Sequence, residues 1–135
     1  MSHQEGLPPL PGGKLEYAVL LSVWNRGHAT APQVHDDVGV PLDLAYTTTS
    51  RVIDRLYAKG LLSRERQGKT FLYRATVERP AIDRAQLSRT LAGVFRDQPR
   101  PALASLVAAI ESIDPALLDE LALVIAARRR SGGEP

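Results

Sequence analysis

The sequence contains no cysteine. That excludes disulfides, thiol nucleophiles, iron–sulfur clusters and every thiolate zinc site. Histidine is scarce as well, with three residues, so a metal site would have to be built mostly from carboxylates. No apolar run approaches the roughly 18 residues that span a bilayer. Residues 1–13 lack the basic start and apolar run of a secretory signal. No P-loop, dinucleotide fingerprint or nucleophile elbow is present. The only polar cluster with catalytic residue types is His28, His35, Asp36 and Asp37, without a His-x-x-x-His spacing. A solvated face is the expected role of that cluster. Neither enzyme activity nor a metal or cofactor is expected, and a cytoplasmic location suits the missing cysteine.

What is present fits a globular chain. Its 135 residues are 44% hydrophobic and 24% charged, enough for one domain or one small domain plus an appendage. The net charge of +2 hides an uneven placement. Residues 1–40 carry two bases and four acids, residues 41–79 eight bases and four acids, and residues 80–135 seven of each. The middle segment is thus the basic one, and a local basic excess is the electrostatic footprint of a nucleic-acid surface. A solvated basic face would look the same in sequence.

Along the chain, residues 1–13 are rich in Gly and Pro and predict a flexible tail, with a PxxP-like Pro8-Pro9-Leu10-Pro11 inside it. Residues 15–25 have the broad apolar face of a helix, closed by Arg26-Gly27. Thr30 is an N-cap for a short helix over 31–38, with Pro32 in its first turn and Gly39 as its stop. Residues 40–42 are a connector or a very short strand. A third helix is predicted over 46–59, ending at Gly60. Thr49, Val52, Ile53 and Leu56 stand at i, i+3, i+4 and i+7 and share its buried face. Two strands, 62–66 and 70–75, flank Gln67-Gly68-Lys69, with Phe71 and Tyr73 alternating as in a half-buried strand. Helices are then predicted over 80–97, over 101–113, and from Pro115 to Arg130 behind an Asp114 cap. Residues 131–135 should fray.

Helix, helix, helix, hairpin is the order of a winged helix-turn-helix: a mainly α fold with a small β-hairpin wing. Its third helix reads the major groove and its wing touches nearby backbone. The third helix here is about 21 Å long, enough to lie in that groove. No acid stands between Asp43 and Asp54, and the helix start turns its dipole and free N–H groups towards an anion. Thr47, Thr48 and Ser50 are short hydroxyl donors. Arg51 reaches a guanine bidentately or a phosphate. Tyr46 either packs on the second helix or reaches phosphate. Arg55 either touches phosphate or pairs with Asp54 or another acid. Arg66 and Lys69 at the wing tip are the expected backbone anchors, with Arg64 and Arg74 ranked below them. Arg128, Arg129 and Arg130 suit a helix C-terminus.

The block Leu44-Ala45-Tyr46-Thr47-Thr48-Thr49 through Asp54-Arg55-Leu56-Tyr57-Ala58-Lys59-Gly60-Leu61-Leu62 resembles the penicillinase-repressor family of bacterial β-lactamase, methicillin-resistance and copper-operon repressors. Leu15-Glu16-Tyr17-Ala18-Val19-Leu20 with Trp24 is similar to its first helix. Arg64-Glu65-Arg66-Gln67-Gly68-Lys69 with Phe71 and Tyr73 is similar to its wing. The resemblance implies a homodimeric repressor on a palindromic operator, with the N-terminal domain on DNA and the C-terminal helices dimerising. In its β-lactam branch a membrane sensor triggers cleavage of the repressor at an Asn-Phe pair, where this chain has Ala109-Ile110. The copper-sensing branch has a cysteine-rich tail, which this chain does not share. An upstream sensor or protease is therefore left unassigned. Ala45 is a further departure, being a poor N-cap.

The tail supports dimerisation on its own terms. Leu103, Leu106, Val107, Ile110 and Ile113 form one stripe. The last helix carries two, Leu117, Leu121 and Val124 beside Leu118, Ala122 and Ile125. A helix with two apolar faces must bury against two neighbours, and a second subunit supplies one. The expected organisation is thus a tail at 1–13, a winged-helix domain at 14–77, a helical dimerisation region at 78–130 and a tail at 131–135. The expected function is transcriptional repression through double-stranded operator DNA. The alternative is a winged-helix protein-interaction module without specific DNA readout.

Overall fold

A computed structural model describes residues 10–132. Residues 1–9, with the start of the PxxP-like run, and residues 133–135 lie outside the described residues. The chain divides into two compact units, one running to Ser88 and the other starting at Arg89.

The first unit opens with residues 10–13, predicted as part of a tail. They are folded instead: Leu10 packs against the core, Pro11 is buried, and Gly12 donates its N–H to Glu16 Oε1 at 2.8 Å. Helix α1, Lys14–Arg26, buries Val19 and Val23 of the apolar face expected from Leu15, Ala18, Val19, Leu21, Val23 and Trp24. It also buries Leu20 and leaves Leu15, Ala18, Leu21 and Trp24 half-buried. Thr30 caps α2, Ala31–Val34. Its hydroxyl accepts from the Gln33 N–H while the Gln33 side chain accepts from the Thr30 N–H, so two end donors are satisfied reciprocally. The predicted continuation of α2 to residue 38 differs from what forms. After Val34 the chain widens into a π turn, His35–Gly39, where the Val40 N–H bonds to the His35 carbonyl at 2.8 Å. Residues 40–42 form no strand; they are an exposed turn.

Helix α3, Tyr46–Ala58, buries Thr49, Val52, Ile53 and Leu56 as its period predicts, and Gly60 follows its end. Strands β1, Leu62–Gln67, and β2, Thr70–Ala75, pair antiparallel from Leu62↔Ala75 to Gln67↔Thr70. The two-residue turn at Gly68-Lys69 needs a positive φ, and Gly68 supplies one at 65°. Leu72 is buried although it points opposite to Phe71 and Tyr73, so β2 is covered on both faces near its middle. A third contributor to the sheet is Ala29. Its N–H and C=O exchange bonds of 2.9 and 2.8 Å with Tyr73, which pins the wing to the α1–α2 connection.

One hydrophobic cluster joins α1, α2, α3 and both strands through Val19, Leu20, Val23, Val34, Val52, Ile53, Leu56, Leu61, Leu62 and Tyr73. Ile82, near the start of α4 (Arg79–Phe95), belongs to it as well. Two polar bonds fix that junction. Trp24 Nε1 donates to the Val77 carbonyl at 2.9 Å, and the Tyr17 hydroxyl donates to Asp83 Oδ1 at 2.6 Å.

The second unit contains α5, Pro99–Ile113, packed along α6, Ala116–Gly132. Helix α5 starts two residues before its predicted position because Pro99 fits a first turn. Asp114 Oδ1 accepts the Ala116 N–H at 3.0 Å, so it caps the start of α6. Helix α6 continues through Gly132 and so takes in Ser131, which was expected to fray. It buries no residue at all, and α5 buries only Ala102. Among the described residues no helix is long and apolar enough to cross a membrane.

Candidate nucleic-acid interface

Helical geometry sorts the surface of α3. With Thr49, Val52, Ile53 and Leu56 turned inward, Thr47, Arg51, Asp54 and Ala58 fall on the outer stripe, all exposed. Thr48 and Ser50 are half-buried on the two flanks of that stripe. Ala45 offers no side-chain cap to the first turn of α3, where its carbonyl accepts from the Thr48 N–H at 3.0 Å. Arg51 makes no ion pair among the described residues. The start of α3 therefore combines a helix N-terminus without a side-chain cap, an exposed guanidinium and no acid before Asp54, an arrangement suited to an anionic ligand.

Tyr46 packs beside the π turn that continues the second helix, yet keeps an exposed side. It stays 45% exposed, and its ring stands edge-on to His35 with centroids 5.3 Å apart. Arg55 has found an acid, and it is Glu16 of α1 rather than Asp54, at 3.5 Å. Lys59 Nζ approaches the same carboxylate to 2.6 Å. Burial acts to raise the Glu16 carboxyl. The bond from Lys59, the Gly12 N–H and the charges of Lys59 and Arg55 outweigh it and hold the group below its ordinary value.

On the wing, the register sets Arg64 opposite Tyr73 and Arg66 opposite Phe71, so bases and rings share one face. The Arg64 guanidinium lies 4.0 Å from the Tyr57 ring centroid and 4.2 Å from that of Phe71. Tyr57 belongs to α3, so Arg64 ties the wing to that helix by two cation–π contacts. Burial pushes the Tyr73 hydroxyl up, and a bond from Arg64 partly offsets this. Arg66 sits 5.7 Å from Phe71, and Lys69 is exposed in the turn. Arg74 is exposed on the other face of β2.

The His/Asp cluster expected on a solvated face is partly structural. His35 is half-buried, and its Nδ1 lies 2.8 Å from Thr49 Oγ1. Asp37 accepts from Arg26 at 2.7 and 2.8 Å and from the Ser22 hydroxyl at 2.7 Å. The Arg26 bonds hold the Asp37 carboxyl below its ordinary value against the opposing effect of burial, and Ser22 adds to the lowering. No group of three or more metal-ligating side chains occurs among the described residues.

Glu16 was missed as a site residue. Its signal was readable: it stands at i−3 and i−4 from Val19 and Leu20, a charge on the buried stripe of α1. The lowered pKa values of Glu16 and Asp37 carry a stability consequence. Groups depressed in the folded state stabilise it at neutral pH, and that contribution is lost as pH falls from the unfolded value through the folded one. The thermal midpoint should hold steady from about pH 7 to about 5 and drop below about 4.5, within the carboxylate range. Glu16→Gln should make the acid drop shallower, which differential scanning calorimetry measures; an unchanged drop would remove Glu16 from the cause.

Three helices, a hairpin wing pinned back to the first connection, and an exposed, uncapped third helix define a winged helix-turn-helix protein. Residues 12–127 match the penicillinase repressor family. The chain belongs to that family. The methicillin resistance regulatory protein MecI of Staphylococcus aureus strain N315 is 30% identical over 67 residues, covering 50% of this chain and 54% of MecI. The transcriptional regulator BlaI of Mycobacterium tuberculosis strain H37Rv is 39% identical over 62 residues, covering 45% of each chain. The chain thus spans about half the length of the curated relatives it matches. The solution structure of the DNA-binding domain of the repressor BlaI is also similar, at a TM-score of 0.49 and 18% identity, over 56% of this chain and 93% of that one.

Proposed function

We propose that the protein is a cytoplasmic transcriptional repressor that binds a palindromic operator as a homodimer and blocks the promoter by occupying it. The carrying observation is the outer stripe of α3. Thr47 and Arg51 stand exposed there, free of the core and of ion pairs, on a helix start without a capping side chain. In this reading Thr47 and Arg51 read base edges, Tyr46, Thr48 and Ser50 support them from the flanks, and Arg66 and Lys69 hold the neighbouring backbone. The names of the relatives, a methicillin resistance regulator and a transcriptional regulator, agree with it.

The second unit supports the homodimer. Leu103, Val107, Val124 and Ile125 are exposed in the single chain, and Leu106, Ile110, Leu117, Leu118 and Leu121 are only half-buried. Such a helical pair gains most of its burial from a second copy. A two-fold dimer sets two recognition helices about 34 Å apart, one turn of DNA.

Two substitutions separate readout from anchoring. On an operator recovered by binding selection, Arg51→Ala should cost about 1–3 kcal/mol and relax preference at one base pair. Lys69→Ala should weaken all sequences alike and flatten the salt dependence by about one phosphate per subunit. Equal losses across sequences for both variants would remove Arg51 from base readout. A chain that bound no duplex would instead be a protein-interaction module.

A further inference from the structure

Arg51, Arg55 and Lys59 recur at i, i+4 and i+8, a basic stripe of three along α3 and its C-cap. Glu16 reaches two of them, with Oε1 2.6 Å from Lys59 Nζ and Oε2 3.5 Å from Arg55 Nε. This acid is no mobile surface group. It is 8% exposed and anchored by the Gly12 N–H at 2.8 Å. Drawing Arg55 and Lys59 away to DNA would leave that carboxylate buried, unpaired and close to further anions, which is strongly unfavourable. One turn earlier, Arg51 has no such acid.

We propose that Glu16 limits the affinity of this surface for arbitrary DNA by withholding Arg55 and Lys59 from phosphate, which leaves contact along the stripe to Arg51. Affinity from phosphate contacts is blind to sequence, so withholding two cations raises the share of binding that base readout decides. The inference rests on the DNA-reading function proposed above.

The test uses the full chain, a random-sequence duplex and fluorescence anisotropy between about 50 and about 200 mM salt. Glu16→Gln keeps the size of the side chain and removes its charge. Each phosphate contact steepens the logarithmic salt slope by about 0.9. Two released cations per subunit, four per dimer, therefore make the variant bind tighter than wild type at low salt, and that advantage shrinks by about a hundredfold across the range. No advantage, or one independent of salt, overturns the proposal. Arg55→Ala, at a side chain 58% exposed, should leave the wild-type slope unchanged and remove about 1.8, one contact per subunit, from that of Glu16→Gln. A loss of about 1.8 in the wild-type background overturns it, because Arg55 would already be on phosphate. Should Glu16→Gln not fold, Arg55→Ala in the wild-type background decides alone. Wild-type protein that binds no duplex overturns the DNA-reading function and this inference with it. Wild-type binding with both slopes unmoved overturns the inference alone.

Discussion

Gly39→Ala should destabilise the first unit by about 3 kcal/mol. A Cβ at residue 39 would lie 2.0 Å from His35 Nδ1 and 2.5 Å from both His35 Cε1 and Thr49 Oγ1. None of these atoms moves away freely. Thr49 is 1% exposed on the inner face of α3, and the His35 ring is held between its 2.8 Å contact with Thr49 and the edge of Tyr46. Expelling the ring strands a buried hydroxyl and shifts the start of α3, so the loss combines overpacking with a broken buried hydrogen bond. Urea unfolding measures it, and a change below about 0.5 kcal/mol would contradict the close packing of the π turn, since surface substitutions reach that much. His35→Ala should recover part of the loss in Gly39→Ala, because it empties the space nearest the new methyl group. Additive effects of the two substitutions would show that the His35 ring is not the obstacle.

Val124→Asp should convert a dimer into monomers and lower operator affinity by at least about a hundredfold. Val124 is 61% exposed in the single chain, and its neighbour Ile125 is 48% exposed. An aspartate there costs an isolated chain little. Inside an interface between two copies it buries two unpaired carboxylates, one from each subunit. A monomer carries one recognition helix and loses the second half-site, so most of the affinity goes with the interface. Light scattering gives the mass, and circular dichroism checks that the helices remain. A monomeric wild-type protein, or a variant of unchanged mass, would contradict the assignment of α5 and α6 to dimerisation.

The parts of the fold that follow local rules were legible in the sequence. The period of Thr49, Val52, Ile53 and Leu56 located the inner face of α3, and with it the outward position of Thr47 and Arg51. Thr30 with Pro32 announced the start of α2, and Gly68 announced the hairpin. The parts that depend on distant partners were not legible. Ala29 contributes one residue to the sheet, too short for any period, and its partner Tyr73 lies 44 positions on. At the π turn a residue on α3, Thr49, meets His35 beside Gly39, a tertiary contact that no local spacing announces. In the candidate site the same division holds. Charge and helical phase placed Arg51 on the exposed stripe of α3. They did not show that Thr48 and Ser50 lie half-buried, that Glu16 occupies Arg55 and Lys59, or that Arg64 is stacked between Tyr57 and Phe71.

The central claim is that the basic third helix and wing bind DNA through phosphate and base contacts. Its most direct test is the binding of the purified chain to its own upstream promoter fragment, followed as salt rises. A shift is expected at low salt, with a linear fall of log affinity with log salt at a slope of about −3.6 or steeper, because a dimer places Arg66 and Lys69 of both subunits on the backbone. Absence of any shift at low salt, or an affinity that does not change with salt, would contradict it.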